Sequence, residues 1–207
     1  MFAARTKPPI ADELGLERIV FFSDAVIAIA ITLLAIEIRL PTLPEGAPLA
    51  SALWALWPRY LSFAISFIVI GTYWIAHHNM FEYIDRYTST LLWLNLLFLL
   101  CIAFAPFPTA VVGEYGTTAG AQIFYAASVV VTGAVKLILW AYAARGRRLL
   151  EEETTRAQIR AVTVRGVITP LVFLISIPFA FVHYSLPIVI WCATGLVYPA
   201  VRLIWHD

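Results

Sequence analysis

Cysteine is nearly missing from this chain. Only Cys101 and Cys192 occur in 207 residues, and both fall in long apolar runs, where a thiol acts as a small apolar side chain. That excludes a disulfide framework and a thiolate metal centre. Charge is scarce too, at 13% of residues, and nucleic-acid features are absent; the formal net charge of +1 says little about a chain mostly buried in lipid. There is no Ser-His-Asp spacing, phosphate-binding glycine loop or zinc-protease helix, which leaves an enzyme without a site. The four histidines, His77, His78, His183 and His206, lie near span ends or in the tail and form no facing pair for haem. No cofactor is expected, and targeting motifs, low-complexity tracts and internal repeats are absent.

What fills the chain is apolar surface. Hydrophobic residues make up 61% of it and the mean hydropathy is +0.84, beyond the roughly 45–50% apolar content of a soluble globule. The chain reads as an all-α, multi-pass membrane protein. Six spans are expected near 19–40, 53–76, 90–111, 121–143, 163–183 and 185–204, each near the roughly 20 residues that a bilayer requires, within one domain covering 1–207. The first run carries Asp24, continues to Leu40 and has no clear small-residue cleavage step, so it reads as a retained span, not a leader.

Arginine and lysine set the orientation. Arg5, Lys7, Arg18, Arg86, Arg145, Arg147, Arg148, Arg156, Arg160, Arg165 and Arg202 fall on one side, against Arg39 and Arg59 on the other. Both termini are therefore expected in the cytoplasm, with the protein in the plasma (inner) membrane. The charged connection over 144–165, with Glu152 and Arg156 four apart, reads as a solvated helical extension in preference to a regulatory or lipid-binding segment.

The first helix concentrates the chemistry. At 100° per residue, Phe22, Ala25, Val26, Ile29, Thr32, Leu33 and Ile36 share one face, and Asp24 points to nearly the opposite side. A carboxylate at that depth costs about 2.5–3.5 kcal/mol on insertion scales, so its face should meet polar groups inside the protein. Arg18, His77, His78 and Asn95 are the candidate partners. The plainer alternative is that Ser23 and Asp24 only cap the helix.

The pattern of Arg18, Phe22, Ser23 and Asp24 opening an apolar helix that ends in a charged, proline-bearing turn resembles the signature of the transmembrane protein 175 potassium-channel family. Trp74, His77 and His78 at the end of the second span, Asn95 in the third, and the Pro106 and Pro108 step add to the likeness, which runs over about 15–110. The resemblance implies six helices per subunit, a homotetramer around one pore lined by the first helix, and a potassium-preferring cation channel without a re-entrant filter loop. It further implies a pore constriction at Ile29, with Leu33 and Ile36 facing the pore beyond it, and Thr32 as the selectivity and ion-binding position. Arg18, Phe22, Ser23, Asp24, His77 and Asn95 become the structural motif. Physically, an aliphatic ring gates by expelling water, and a hydroxyl ring replaces part of an ion's hydration shell. On residue type alone, Thr32 reads instead as a hydroxyl bonded back to its own helix.

Other constellations stay secondary. Val111–Gly116 approaches a potassium-filter sequence but lacks a pore helix and is broken by Glu114, so it reads as an external turn. His78, Glu82 and Asp85 share a face, yet polar residues at a span end are expected for solvation, and no metal site is assigned. Lys136 lies inside a span with no evident partner. Pro170, Pro178, Pro187 and Pro199 punctuate the last two spans, as kinks or as transporter-like helix breaks. Two rival functions remain: a proton-coupled secondary transporter using Asp24 and Glu37, and a non-conducting membrane scaffold. The expected partners are further copies of the chain, potassium ions and lipid.

Overall fold

The computed structural model describes residues 9–42 and 48–204, with side chains described over 14–42 and 48–194. Helices follow the apolar runs. In order they are α1 (Pro9–Ile36), the short α2 (Leu49–Ala55), α3 (Trp57–Phe81), α4 (Ser89–Phe104), α5 (Pro106–Tyr115), α6 (Ala119–Ala144), α7 (Arg156–Ser176) and α8 (Ser185–Ile204). Threonine side chains start three of them: the oxygens of Thr88, Thr118 and Thr155 accept from the backbone N–H three residues on, and Gln158 closes a capping box with Thr155. Among the described residues, five stretches are long and apolar enough to cross a membrane: Leu14–Ile36, Trp57–Phe81, Ser89–Tyr115, Ala119–Arg147 and Arg156–Phe181. The apolar segment Ser185–Thr194 begins α8, while the side chains of its continuation, including Pro199 and Arg202, lie outside the described residues. So do Arg5, Lys7 and His206, which entered the orientation and haem arguments.

Three expectations are corrected. The third span is not one helix, because Pro106 has no N–H to give the Ile102 carbonyl, and Ala105 N–H takes that carbonyl instead at 3.1 Å. The Val111–Gly116 stretch is no turn: it continues α5 to Tyr115, with Gly116 still in right-handed helical backbone. A Cβ on Gly113 would lie 2.7 Å from Ser62 Oγ, so this glycine serves close approach of α5 to α3. Residues 145–155 are not a helical extension either. A 3₁₀ turn at Arg145–Arg147 with left-handed Gly146 and Arg147 leads into a strap bridging Leu150 to Ile84. Asp85 N–H donates to Leu149 O at 2.9 Å, and Glu151 N–H to Tyr83 O at 3.0 Å. The reason is hydrophobic. Leu149 and Leu150 are both buried, and the exposed face of a solvated helix could not have hidden adjacent leucines. Glu152 and Arg156 form no ion pair; Arg147 instead donates to the carbonyls of Glu152 and Thr154.

Two apolar clusters fill the interior. One joins Ile27, Ala30 and Leu34 of α1 to Val69 and Tyr73 of α3, Phe98 and Ile102 of α4, Tyr125 of α6, Phe173 of α7 and Trp191 of α8. The other gathers Ile19, Met80, Phe81, Leu91, Leu139, Trp140 and the strap leucines. α6 packs closely against α7. A Cβ on Gly133 would lie 2.6 Å from Pro170 Cβ and 2.9 Å from the Tyr73 hydroxyl, a small-residue approach of the kind membrane helices use. Gly133→Ala therefore destabilises by about 1–3 kcal/mol through overpacking. A lower thermal midpoint in detergent is the check, and an unchanged one contradicts it.

Candidate functional site

α1 has two faces of opposite fate. Ile19, Ser23, Ile27, Ala30 and Leu34 are buried, at spacings of four, four, three and four that make one stripe against α3 and α4. On the other side Phe22 is 53% exposed, Ile29 59%, Leu33 40% and Ile36 63%. Ala25 and Thr32 are exposed as well. Among the described residues, nothing covers this stripe. Of the face read from the sequence, only Val26 turns partly inward and packs on the core. Thr32 Oγ1 donates to Ile29 O at 2.8 Å, the back-bond weighed above. With its proton committed to the helix, the hydroxyl oxygen keeps its lone pairs for whatever approaches from the exposed side.

Behind that stripe lies a buried polar chain. Ser23 Oγ donates to Ile19 O at 2.7 Å and accepts from Asn95 Nδ2 at 2.9 Å. Asn95 Oδ1 lies 2.9 Å from His77 Nε2, so the network assigns the imidazole proton to Nε2. The Nδ1 of His77 has no partner among the described residues. The His77 ring is stacked on Phe98 at 5.3 Å and lies 4.4 Å from Phe81, centroid to centroid. Ser23, Asn95 and His77 thus pin α1 to α4 and α3 through three fully enclosed side chains, the setting in which hydrogen bonds are strongest and their loss most costly.

Asp24 is not part of this chain. Its Oδ1 accepts from Trp74 Nε1 at 2.9 Å, and Trp74 stacks on His78 at 6.1 Å. The partner expected among Arg18, His77, His78 and Asn95 is therefore an indole, because one residue of helix turns Asp24 about 100° away from Ser23. The capping alternative fails for both residues, since α1 begins at Pro9. Arg18 is exposed, with no ion pair among the described residues. His78 pairs with Glu82 at 3.4 Å and Asp85 with Arg86 at 3.4 Å. No group of three or more potential His, Cys, Asp or Glu ligands gathers among the described residues. Glu37 lies at the far end of α1, beside a cleft of about 350 Å³ that Asp24 does not reach.

Other polar contacts were invisible in the sequence. Lys136 Nζ sits 5.3 Å from the centroid of the Tyr73 ring, which supplies the partner the sequence did not reveal. Ser66 Oγ bonds the Tyr125 hydroxyl at 2.8 Å and accepts from Thr109 at 2.8 Å, while Tyr73 donates to Val129 O at 2.7 Å. Hydroxyls scattered over three helices, α3, α5 and α6, carry no spacing signal that pairs them. Only the burial of their helical faces could have drawn attention to them.

Known proteins resemble the chain across nearly its whole length. Residues 18–106 match the family model described as endosomal/lysosomal potassium channel TMEM175. A protein from Chamaesiphon minutus named a potassium channel is 35% identical over 190 residues, 89% of this chain and 93% of its own. Another so named, from Streptomyces collinus, is 35% identical over 82% of this chain and 84% of its own. The crystal structure of a lysosomal potassium-selective channel TMEM175 homolog from Chamaesiphon minutus superposes with a TM-score of 0.80 at 32% identity, covering 91% of this chain and 97% of that one. With the apolar spans and the α1 motif, these likenesses make the chain a multi-pass membrane protein that belongs to the TMEM175 family, a family of channels and not of enzymes.

Proposed function

We propose that the protein is a potassium-preferring cation channel in which four copies surround one pore lined by α1. The observation that carries this reading is the division of α1. One face is tied down by a buried Ser23, Asn95 and His77 chain, and the other, with Ile29, Thr32, Leu33 and Ile36, is left bare by its own subunit. One pore helix per chain requires several chains, and cyclic symmetry turns the same stripe of each toward the common axis. Ile29, Leu33 and Ile36 then form aliphatic rings that gate by dewetting, and Thr32 contributes a ring of hydroxyl oxygens that replaces ion hydration. Arg18, Phe22 and Asp24 complete the motif at the subunit surface. In this reading the chain is one domain of six spans without a re-entrant filter loop, set in the plasma (inner) membrane with both termini in the cytoplasm. No cofactor takes part, and potassium is the permeant ion.

Flux from liposomes loaded with potassium or sodium tests the assignment. Thr32→Ala keeps the fold, because the lost hydrogen bond is local to the helix, yet removes the hydroxyl ring. Its potassium over sodium ratio is expected to fall by about tenfold, the loss of about 1.4 kcal/mol of discrimination. A ratio equal to wild type refutes Thr32 as the selectivity position. Transport that saturates and moves protons with the ion favours the carrier that would use Asp24 and Glu37.

A further inference from the structure

α1 ends without a stop of its own. Its last turn holds no basic residue, no glycine follows Ile36, and beyond the helix the chain runs irregularly over 37–42. Arg59, in the first turn of α3, reaches this end from across the cleft. Its Nη1 donates to Arg39 O at 2.7 Å, and its Nη2 donates to the Glu114 carboxylate at the end of α5. The planar guanidinium suits such a double task, since its donors have a fixed fork geometry that an ammonium lacks. Gly113 makes the arrangement possible: a Cβ there would lie 2.7 Å from Ser62 Oγ and 3.5 Å from Arg59 Cα, so the backbones close enough for Arg59 and Glu114 to meet. Among the described residues, and apart from the Ile38 N–H bond back to Ala35 O of α1 itself, the bond to Arg39 O is the only hydrogen bond from 37–42 to another element. The remaining space is the cleft of about 350 Å³, bounded by Leu34, Glu37 and Ile38 on one side and Phe63 and Phe107 on the other. The helix end thus has room to move and one polar tether.

We infer that Arg59, held by Glu114, is a positioning residue for conduction: it clamps the end of α1 and thereby sets how closely Leu33 and Ile36 approach the pore axis. This rests on the pore reading above. Arg59 touches no ion, and its effect passes through the Arg39 carbonyl to the last turns of α1.

Two measurements on the full chain in liposomes or nanodiscs test it, amide hydrogen exchange over 34–42 and potassium flux. In Arg59→Ala both are expected to rise by about fivefold, the factor for losing a partly exposed charged hydrogen-bond pair. Glu114→Gln, which keeps an acceptor but not the charge, gives a smaller rise. Arg59→Lys falls between wild type and Arg59→Ala, because a single ammonium cannot serve both partners. Combining Arg59→Ala with Glu114→Gln adds nothing further. Unchanged exchange overturns the clamp, and faster exchange with wild-type flux overturns its role in conduction. If Arg59→Ala does not fold, the same two readouts on Arg59→Lys and Glu114→Gln decide. Ile29→Asn, measured alongside, separates the two ideas: an Ile29→Asn that leaves flux unchanged refutes the pore reading, while exchange still judges the clamp by itself.

Discussion

Ile29→Asn is expected to raise potassium flux by about tenfold or more, since removing about 1.4 kcal/mol of barrier is worth a factor of ten. Ile29 is 59% exposed on the bare stripe of α1, so the substitution leaves no cavity in the subunit core and should not unfold it. A carboxamide in place of a butyl group lets water remain at the narrowest ring, and the barrier that dewetting imposes on an ion falls. Flux from potassium-loaded liposomes measures this directly. If α1 only faced lipid, the same change would place an amide in acyl chains, cost stability and leave conduction where it was. If the stripe served only folding, there would be no conduction to alter. A flux equal to wild type in well-folded Ile29→Asn therefore removes α1 as the pore lining.

Asn95→Leu is expected to lower the thermal midpoint by about 4–8 °C, from about 2 kcal/mol of lost stability in a chain of this size. Asn95 both donates to Ser23 Oγ and accepts from His77 Nε2. Its removal leaves the His77 N–H buried between Phe81 and Phe98 with no acceptor, a penalty that the added apolar volume does not offset. Ser23→Ala should cost less, because it removes the acceptor of one Asn95 N–H but keeps the bond between Asn95 and His77. The pair should be less than additive, since both changes break the same chain. Thermal unfolding of the single and double variants in detergent supplies the numbers. Full additivity, or an unshifted midpoint for Asn95→Leu, contradicts the proposed anchoring of α1.

Much of this was legible from residue order because apolar runs of membrane length leave the backbone few choices: with no water to satisfy it, a spanning segment closes its own hydrogen bonds as a helix. The stripe of Ile29, Thr32, Leu33 and Ile36 follows from the same 3.6-residue period that brings Ser23, Ile27, Ala30 and Leu34 onto the opposite side. Asn95 and His77 could be nominated as polar residues in apolar spans. Which polar groups actually meet was another matter. Ser23, not Asp24, joins Asn95; Trp74 takes Asp24; Tyr73 receives Lys136; and Arg59 crosses to Glu114 and Arg39. Each depends on helix rotations of tens of degrees and on close approaches licensed by glycines at 113 and 133, quantities that period and composition do not contain.

Sequence by itself determined the all-α membrane class, most of the regions that become helices and the two-sided character of α1, because hydropathy and helical period are local properties of the chain. Tertiary structure alone decided that Leu149 and Leu150 strap onto Ile84, and which neighbours the buried polar groups meet. The physical reason is reach. A hydrogen bond or a buried leucine is settled by whichever neighbour lies within a few ångströms, and among the described residues hydrogen-bonded neighbours are up to 72 residues apart in the chain.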